Sequence, residues 1–417
     1  MALVTKNFSD IITFTRTGTT ATYFNSAGVL TAAAADQPRF DYNPSTLAAQ
    51  GLLIEESRAN RFANSSASGS VTLGTGTSIA PDGNLMAKAV CPNGAASFPQ
   101  IGNGTGNTQS FTLTAGQTID VALSGYFAAG TSGMVIEPRL IADARTAPGS
   151  NFTYAELQIN TSTWTVRTKA LGVDWSEVQA PSITLFRAGV YRVTWVVRYT
   201  QGATIRDASS VYVQLRDTAG SGTFTGDGVG HFQYFGIQGE TGSFPTSTIL
   251  TTTAAATRAA DVASVNTLNP WFNSAAGTLY AEVQHFAPSA AAQQWQAQLA
   301  SGSGDYYGIY KESSPANITT RVRSGGADQA FAYTTGAISA NTTYKTALGY
   351  AVNDVASCTN GGTVFVDTPP AALPTSITAL GLGKPTYTTS VMLNGYLRRI
   401  TYYPRRLSNA ELQALTA

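Results

Sequence analysis

Short runs that alternate polar and apolar residues, separated by glycine-rich turns, recur through almost the whole chain, and a helical period is nearly missing. Examples are Ile119–Phe127, Tyr154–Ile159, Trp164–Lys169, Val190–Tyr199, Thr278–Phe286, Lys345–Val352 and Val391–Tyr403. Gly74-Thr75-Gly76, Gly102–Gly106, Gly130–Gly133 and Gly220–Gly222 read as the turns between such runs. A period of two places alternate side chains on opposite faces, so each run can bury one face only by packing sheet on sheet. The predicted fold class is therefore all-β, built of β-sandwich modules. Val190–Val197 is apolar almost without interruption, which predicts an interior strand. One helix is predicted, at the C-terminus, where Ser408-Asn409-Ala410-Glu411 forms a capping box.

At 417 residues the chain is too long for one core. The division falls in the stretch Thr223–Val265. His231–Gln238 is predicted as a strand, with His231, Gln233, Phe235 and Ile237 on one side and Phe232, Tyr234, Gly236 and Gln238 on the other. Gly239–Gly242 ends it, and Phe244–Ala260 is small, Thr/Ala-rich and turn-poor, the composition of an extended strap. Four segments are predicted: an N-terminal β leader (1–62), a first jelly-roll sandwich (63–243), a linker strap (244–262) and a second sandwich (263–417). The leader contains a hairpin, Thr19–Phe24 and Val29–Ala33 around Asn25–Gly28. It has too few large apolar residues to stand alone. It must pack on a neighbouring module, a second copy of the chain or another protein.

Charged residues make up only 12% of the chain, about half the usual share, so Thr, Ser, Asn, Gln and Gly must cover the surface. The 25 basic and 24 acidic side chains form no runs, which argues against nucleic acid as a partner. No run approaches the length of a membrane helix, and MALVTKNFSDIITFTR lacks the apolar core of a secretion signal. Membrane insertion is not expected. Cys91 and Cys358 are expected to be free thiols.

Three stretches resemble known proteins. Phe14-Thr15-Arg16, Ala21–Leu30, Pro38–Tyr42 (PRFDY) and Gly51–Asn60 (GLLIEESRAN) are similar to a leader in bacteriophage tail-fibre-like and minor structural proteins. Gly236–Ser247 (GIQGETGSFPTS) and Thr257–Asp261 (TRAAD) resemble the end of a carbohydrate-binding-like jelly roll in such proteins. Gly395–Ser408 with the helix after it resembles the close of a concanavalin A-like (laminin-G-like) sandwich. The resemblance implies a virion protein, a tail fibre or capsid-attached fibre made in the host cytoplasm. Its leader would contact other virion proteins, and by analogy it would be a homotrimer.

The residues offer little catalytic chemistry. Concanavalin-type glycanases place carboxylates two residues apart on one strand face, whereas no two acidic residues here are spaced i, i+2. Carboxylates from distant strands could still converge. His231 and His285 lie near no G-x-S-x-G elbow, and two His and two Cys lack zinc-ligand spacing. Gly226-Asp227-Gly228 reads as a turn rather than a calcium loop. No cofactor, metal or catalytic residue is assigned, and an enzyme is not expected.

Binding remains. Exposed rings that stack on sugar faces, beside amides and carboxylates that meet hydroxyls, would make a host-surface adhesin for glycans. The glycan candidates are Trp175, between Asp174 and Ser176-Glu177; Asp305-Tyr306-Tyr307, where adjacent residues of a strand must face opposite ways; and Trp295. Trp164 and Trp271 are further candidates, while Trp195 is read as core. Burial of Trp175 and Tyr306 would favour the alternative, a capsid or tail decoration protein with a structural role. A glycan depolymerase is the third reading. Arg398-Arg399 and Arg405-Arg406 are read as solvated charges near a strand edge.

Overall fold

The computed structural model describes residues 8–63, 65, 72–97, 99–102, 108–110, 112–130, 133–143, 152–206, 208–288, 292–367 and 372–417. The predicted turn at Gly102–Gly106 lies mostly outside these residues. Among the described residues, thirty-two strands and two short helices account for the regular structure, as the period-two patterning requires.

In the first sandwich one sheet runs Trp175–Arg187, Val190–Thr200, Thr118–Ala129, His231–Thr241, Leu85–Val90, Thr72–Ile79. The other is ordered Gln100–Ile101, Ala208–Arg216, Val135–Asp143, Thr153–Asn160, Thr165–Leu171. Val190–Thr200 is interior, as its apolar run predicts, and fully buries Trp195. Leu123, Ile136, Leu157, Val213, Phe232 and Ile237 complete that core. Gly74-Thr75-Gly76, expected as a turn, belongs to the strand Thr72–Ile79.

His231–Thr241 departs from simple alternation. Ser124 pairs with Gln238 but Tyr126 with Phe235, so Gly236 and Ile237 together oppose one residue, a β-bulge. Gly236 sits at φ +60, a conformation that glycine adopts without steric penalty. The bulge reverses the facing of the residues after it. Ile237 joins Phe232 and Tyr234 in the sandwich core, whereas Phe235 packs on Tyr126 in a separate cluster.

The second sandwich incorporates the leader. One sheet is ordered Thr13–Thr15, Val262–Val265, Ala379–Leu382, Gln294–Ala300, Tyr306–Lys311, Asn317–Ser324, Ala327–Ala337. The other is ordered Phe365–Asp367, Asp354–Thr359, Thr343–Ala351, Ala276–His285, Gly395–Tyr403, Ala49–Ile54, Phe40–Tyr42. Residues from the first 60 thus supply an edge to each sheet. Leu52 and Ile54 enter the core with Leu279, Leu299, Tyr307, Ile309 and Leu348. The predicted hairpin forms as Thr22–Phe24 paired with Leu30–Ala32. Cys91 and Cys358 are free and buried, and the predicted capping box opens the helix Asn409–Thr416.

A buried ionic cluster joins leader to strap. Arg39 pairs with Glu55 (2.8 Å) and Asp261, Arg16 with Asp261 (3.0 Å), and Arg258 with Glu55 (3.2 Å), all with side chains at most 1% exposed. Ser247 in the strap donates to Glu55 from its N–H (2.8 Å) and hydroxyl (2.7 Å), and Glu55 N–H donates to Asp261 (3.0 Å). Burial alone would raise the Glu55 pKa, but Arg258, Arg39 and Ser247 outweigh it and hold it down to about 2. Nearby, Glu240 is pushed up by burial, against the pull of its Thr246 hydrogen bonds. Arg16, Arg39, Glu55, Glu240, Ser247, Arg258 and Asp261 all belong to the short motifs read from the sequence. Their spacing therefore encodes an interlock, with Arg58 closing it by stacking on Phe244 (4.7 Å) and pairing with Glu56 (2.6 Å).

Candidate functional site

Four of the five sequence candidates are buried. Trp175 is 8% exposed and packs on Tyr199 (5.2 Å). It turns inward after Asp174, whose φ of +71 reverses the chain and whose carboxylate pairs with Arg206 (2.7 Å). Tyr306 and Tyr307 do face opposite ways. Tyr307 stacks on Tyr350 (3.8 Å) between the sheets, while Tyr306 lies on the outer face against Trp295 (5.5 Å). The expected exposure of one of them is not found, because the loop after Gly383 covers that face; Val391 packs on the Trp295–Tyr306–Tyr310 cluster. Asp305 is half-buried and accepts the Gly325 N–H (2.9 Å), a turn contact. Trp164 stacks on Tyr191 (4.1 Å) and Trp271 packs on Tyr402 (5.2 Å). The structure therefore brings Trp295, Tyr306 and Asp305 to one sheet and leaves Trp175 in the other module.

Other titratable residues are equally committed. His285 is fully buried between Gln294 (2.9 Å) and Gln296 (3.2 Å), and burial pushes its pKa down to about 4. His231 Nδ1 lies 2.8 Å from the Val229 carbonyl. Asp227 accepts the N–H groups of Val229 (2.8 Å) and Gly230 (2.6 Å), the geometry of a turn. Arg405 and Arg406 pair with Glu411 and Asp354 (2.7 and 2.8 Å).

A cleft of about 500 Å³ lies where leader, strap and both sandwiches meet. The leader hairpin and the strand Phe40–Tyr42 bring Tyr23, Phe24 and Tyr42; the second sandwich brings Phe286 and Tyr396. All five rings are partly exposed. Against them stand Gln179, Ser182, Thr184 and Thr194 of the first sandwich, Gln50 of the leader, and Gln284 and Asn341 of the second sandwich. The strap segment Phe244–Thr248 and buried Glu55 form the back.

Fixed hydrogen bonds hold the charged lining. Asp41 accepts the Phe24 N–H (2.6 Å) and the Tyr396 hydroxyl (2.5 Å). Burial raises its pKa, although those two donors and Arg39 pull the other way. Burial, with the nearby Asp41 charge, keeps the Tyr396 hydroxyl protonated. Arg192 donates Nη2 to the Thr246 carbonyl (3.1 Å), while its buried Nε has no partner. Asp41 and Glu55 are the lining carboxylates, and protein donors occupy both. Such a cleft has the makings of a polyol receptor. Rings can cover a C–H face, and neutral amides and hydroxyls can exchange hydrogen bonds with ligand hydroxyls.

Sequence reasoning missed Tyr23, Phe286, Gln284 and Asn341 because they come from segments far apart in the chain. Asp41 and Tyr42 stood inside the PRFDY motif and carried a usable signal there.

No family model matches the chain, and no curated protein matches it. Solved structures similar over about a third of the chain include the CBM40 module of the Ruminococcus gnavus IT-sialidase, at 17% identity and a TM-score of 0.29, covering 35% of this chain and 84% of that one. A SAP-like pentraxin from Limulus polyphemus is 11% identical with a TM-score of 0.28, covering 36% and 79%. Chicken galectin 2 is 12% identical with a TM-score of 0.24, covering 32% and 94%.

Proposed function

We propose that this chain is a non-catalytic, saccharide-binding adhesin of a bacteriophage particle, and that the cleft between leader, strap and sandwiches receives the glycan. The observation that carries the reading is the lining of that cleft, with five partly exposed rings opposite uncharged amides and hydroxyls. The occupied states of Asp41 and Glu55 favour binding over hydrolysis, since a glycosidase needs one carboxyl free to protonate and another free to attack or to activate water. The phage setting rests on the leader and strap motifs and their resemblance to tail-fibre-like proteins. In this reading the leader presents Ile11, Phe40 and Leu47, each more than 40% exposed, to other virion proteins or to further copies in a homotrimer. Weak individual sites are then multiplied by copy number.

Burial of Trp175 and Tyr306 favours a second reading, a decoration protein that stabilises the particle without a receptor of its own. Thr184 and Ser182 are exposed strand residues on the cleft wall, outside the ionic cluster. Thr184→Trp would fill the cleft from there. Saturable binding to host cells and to a glycan array that is weakened in Thr184→Trp, with unchanged circular dichroism, supports the adhesin. Absence of binding by the assembled wild type supports the decoration protein.

A further inference from the structure

The outer face of the second sandwich carries a second aromatic surface, only part of which is open. Strand register sets Trp295, Tyr310, Thr319 and Tyr333 side by side across four strands, with Gln298, Gly308, Arg321 and Phe331 in the next row. The intervening residues Tyr307, Ile309, Ile318 and Val322 point into the core. Phe331 and Tyr333 are 38% and 42% exposed and meet edge to face at 5.0 Å. The Arg321 guanidinium lies 5.6 Å from the Phe331 ring centre, fixed by two 2.7 Å hydrogen bonds to Asp328.

Towards Trp295 the same face is roofed by residues 384–392. The ends of this loop are tied together, Leu393 N–H to the Gly383 carbonyl (2.8 Å) and Gly383 N–H to the Gln296 carbonyl (2.9 Å). This is the closed neck of an Ω-loop. Gln298 Oε1 accepts the Thr386 N–H (2.8 Å), holding the roof down. On the same face, Trp295 Nε1, Gln298 Nε2, Tyr310 Oη and Thr319 Oγ1 are buried without a hydrogen-bond partner, on residues no more than 2% exposed. An unmatched buried polar group destabilises the empty fold, and four on one face form a set of unused donors beside stacked rings.

We infer that this face is a second saccharide site, with Trp295, Tyr310, Phe331 and Tyr333 as its floor and residues 384–392 as a roof that lifts to admit the ligand. A pyranose fits the chemistry. Its C–H face covers a ring, and its hydroxyl oxygens accept from Trp295 Nε1 and Gln298 Nε2. An apolar peptide would leave those donors unmatched. The site shares no lining residue with the cleft, so either can fail without the other.

The test is calorimetric titration of the full chain with a panel of neutral and uronic acid-containing oligosaccharides, together with amide hydrogen exchange over residues 384–392. The variants are Thr184→Trp, Tyr333→Ala and Thr319→Val. The inference expects binding that survives Thr184→Trp, falls tenfold or more in Tyr333→Ala, weakens in Thr319→Val, and changes exchange in the loop. Thr319→Val removes one unmatched hydroxyl isosterically, so its melting temperature should hold or rise even as affinity falls. Absence of binding to any oligosaccharide in the Thr184→Trp protein overturns the inference. Full affinity in Tyr333→Ala, or loop exchange indifferent to ligand, overturns it equally.

Discussion

Two regions bury polar side chains in ways that differ. In the interlock, each carboxylate oxygen of Glu55 and Asp261 has a donor, and the atoms left over are the Nε groups of Arg16, Arg39, Arg58 and Arg258. On the sheet face beside the 384–392 loop, neutral polar atoms are left over on four residues, Trp295, Gln298, Tyr310 and Thr319. Matched charges hold segments from three parts of the chain in one arrangement, and their removal should be severe. Unmatched neutral groups hold nothing in place in the empty protein, and their removal should be mild. Buried polarity therefore marks architecture in the first region and a waiting ligand contact in the second.

Asp261→Asn should break the interlock most severely. It leaves Arg16 and Arg39 facing a neutral amide in a fully buried setting, with a loss of about 3–5 kcal/mol expected in chemical denaturation. A loss below about 1 kcal/mol would mean that the cluster is incidental to stability.

Acid should come next. Glu55 is held down to about 2 in the folded protein, so its contribution is complete above its unfolded value near 4.5 and is lost as pH falls towards 2. His285 is held down to about 4, so the unfolded chain takes up a proton below about 6.5 that the folded chain refuses. Stability should therefore fall from pH 6.5 to 4 by roughly 2–4 kcal/mol on account of His285 alone. His285→Gln should flatten that segment of the profile and leave the steeper loss below pH 4.5. Asp41 and Glu240, raised by burial, act in the opposite sense, since they favour the folded protein while protonated. An unchanged slope in His285→Gln would contradict the burial of a neutral imidazole.

The smallest pair of effects is the sharpest. Ser247→Ala deletes the hydroxyl that donates to Glu55 and accepts from Arg39 (2.8 Å), and it should cost about 1–3 kcal/mol. Thr319→Val deletes a hydroxyl with no partner and should be neutral or stabilising by up to about 1 kcal/mol. Opposite signs in one unfolding assay confirm the distinction, and equal losses remove it.

What the sequence revealed depended on the distance over which each feature is determined. The capping box at Ser408 and Glu411 is local and forms as read. The interior strand Val190–Thr200 is legible because an apolar run on both faces needs cover on both. The bulge at Gly236 escaped because one inserted residue inverts the facing of every residue after it, and period alone carries no mark of it. The leader's place was open because its partners lie at the far end of the chain, as Gly395–Leu397 does for Leu52–Ile54. Trp295 and Tyr306 read as sugar-binding rings, yet their cover arrives with Thr386, 88 residues beyond Gln298. The cleft was the least legible part, since its rings and amides come from the leader and both sandwiches.

The most direct measurement of the central claim is binding of the assembled protein to host cells and to a glycan array, wild type beside Thr184→Trp and Tyr333→Ala. Saturable wild-type binding that loses one class of site in Thr184→Trp, with the fold intact and the class removed by Tyr333→Ala still present, is the predicted result. Wild-type binding unchanged in Thr184→Trp would contradict a receptor cleft between leader, strap and sandwiches.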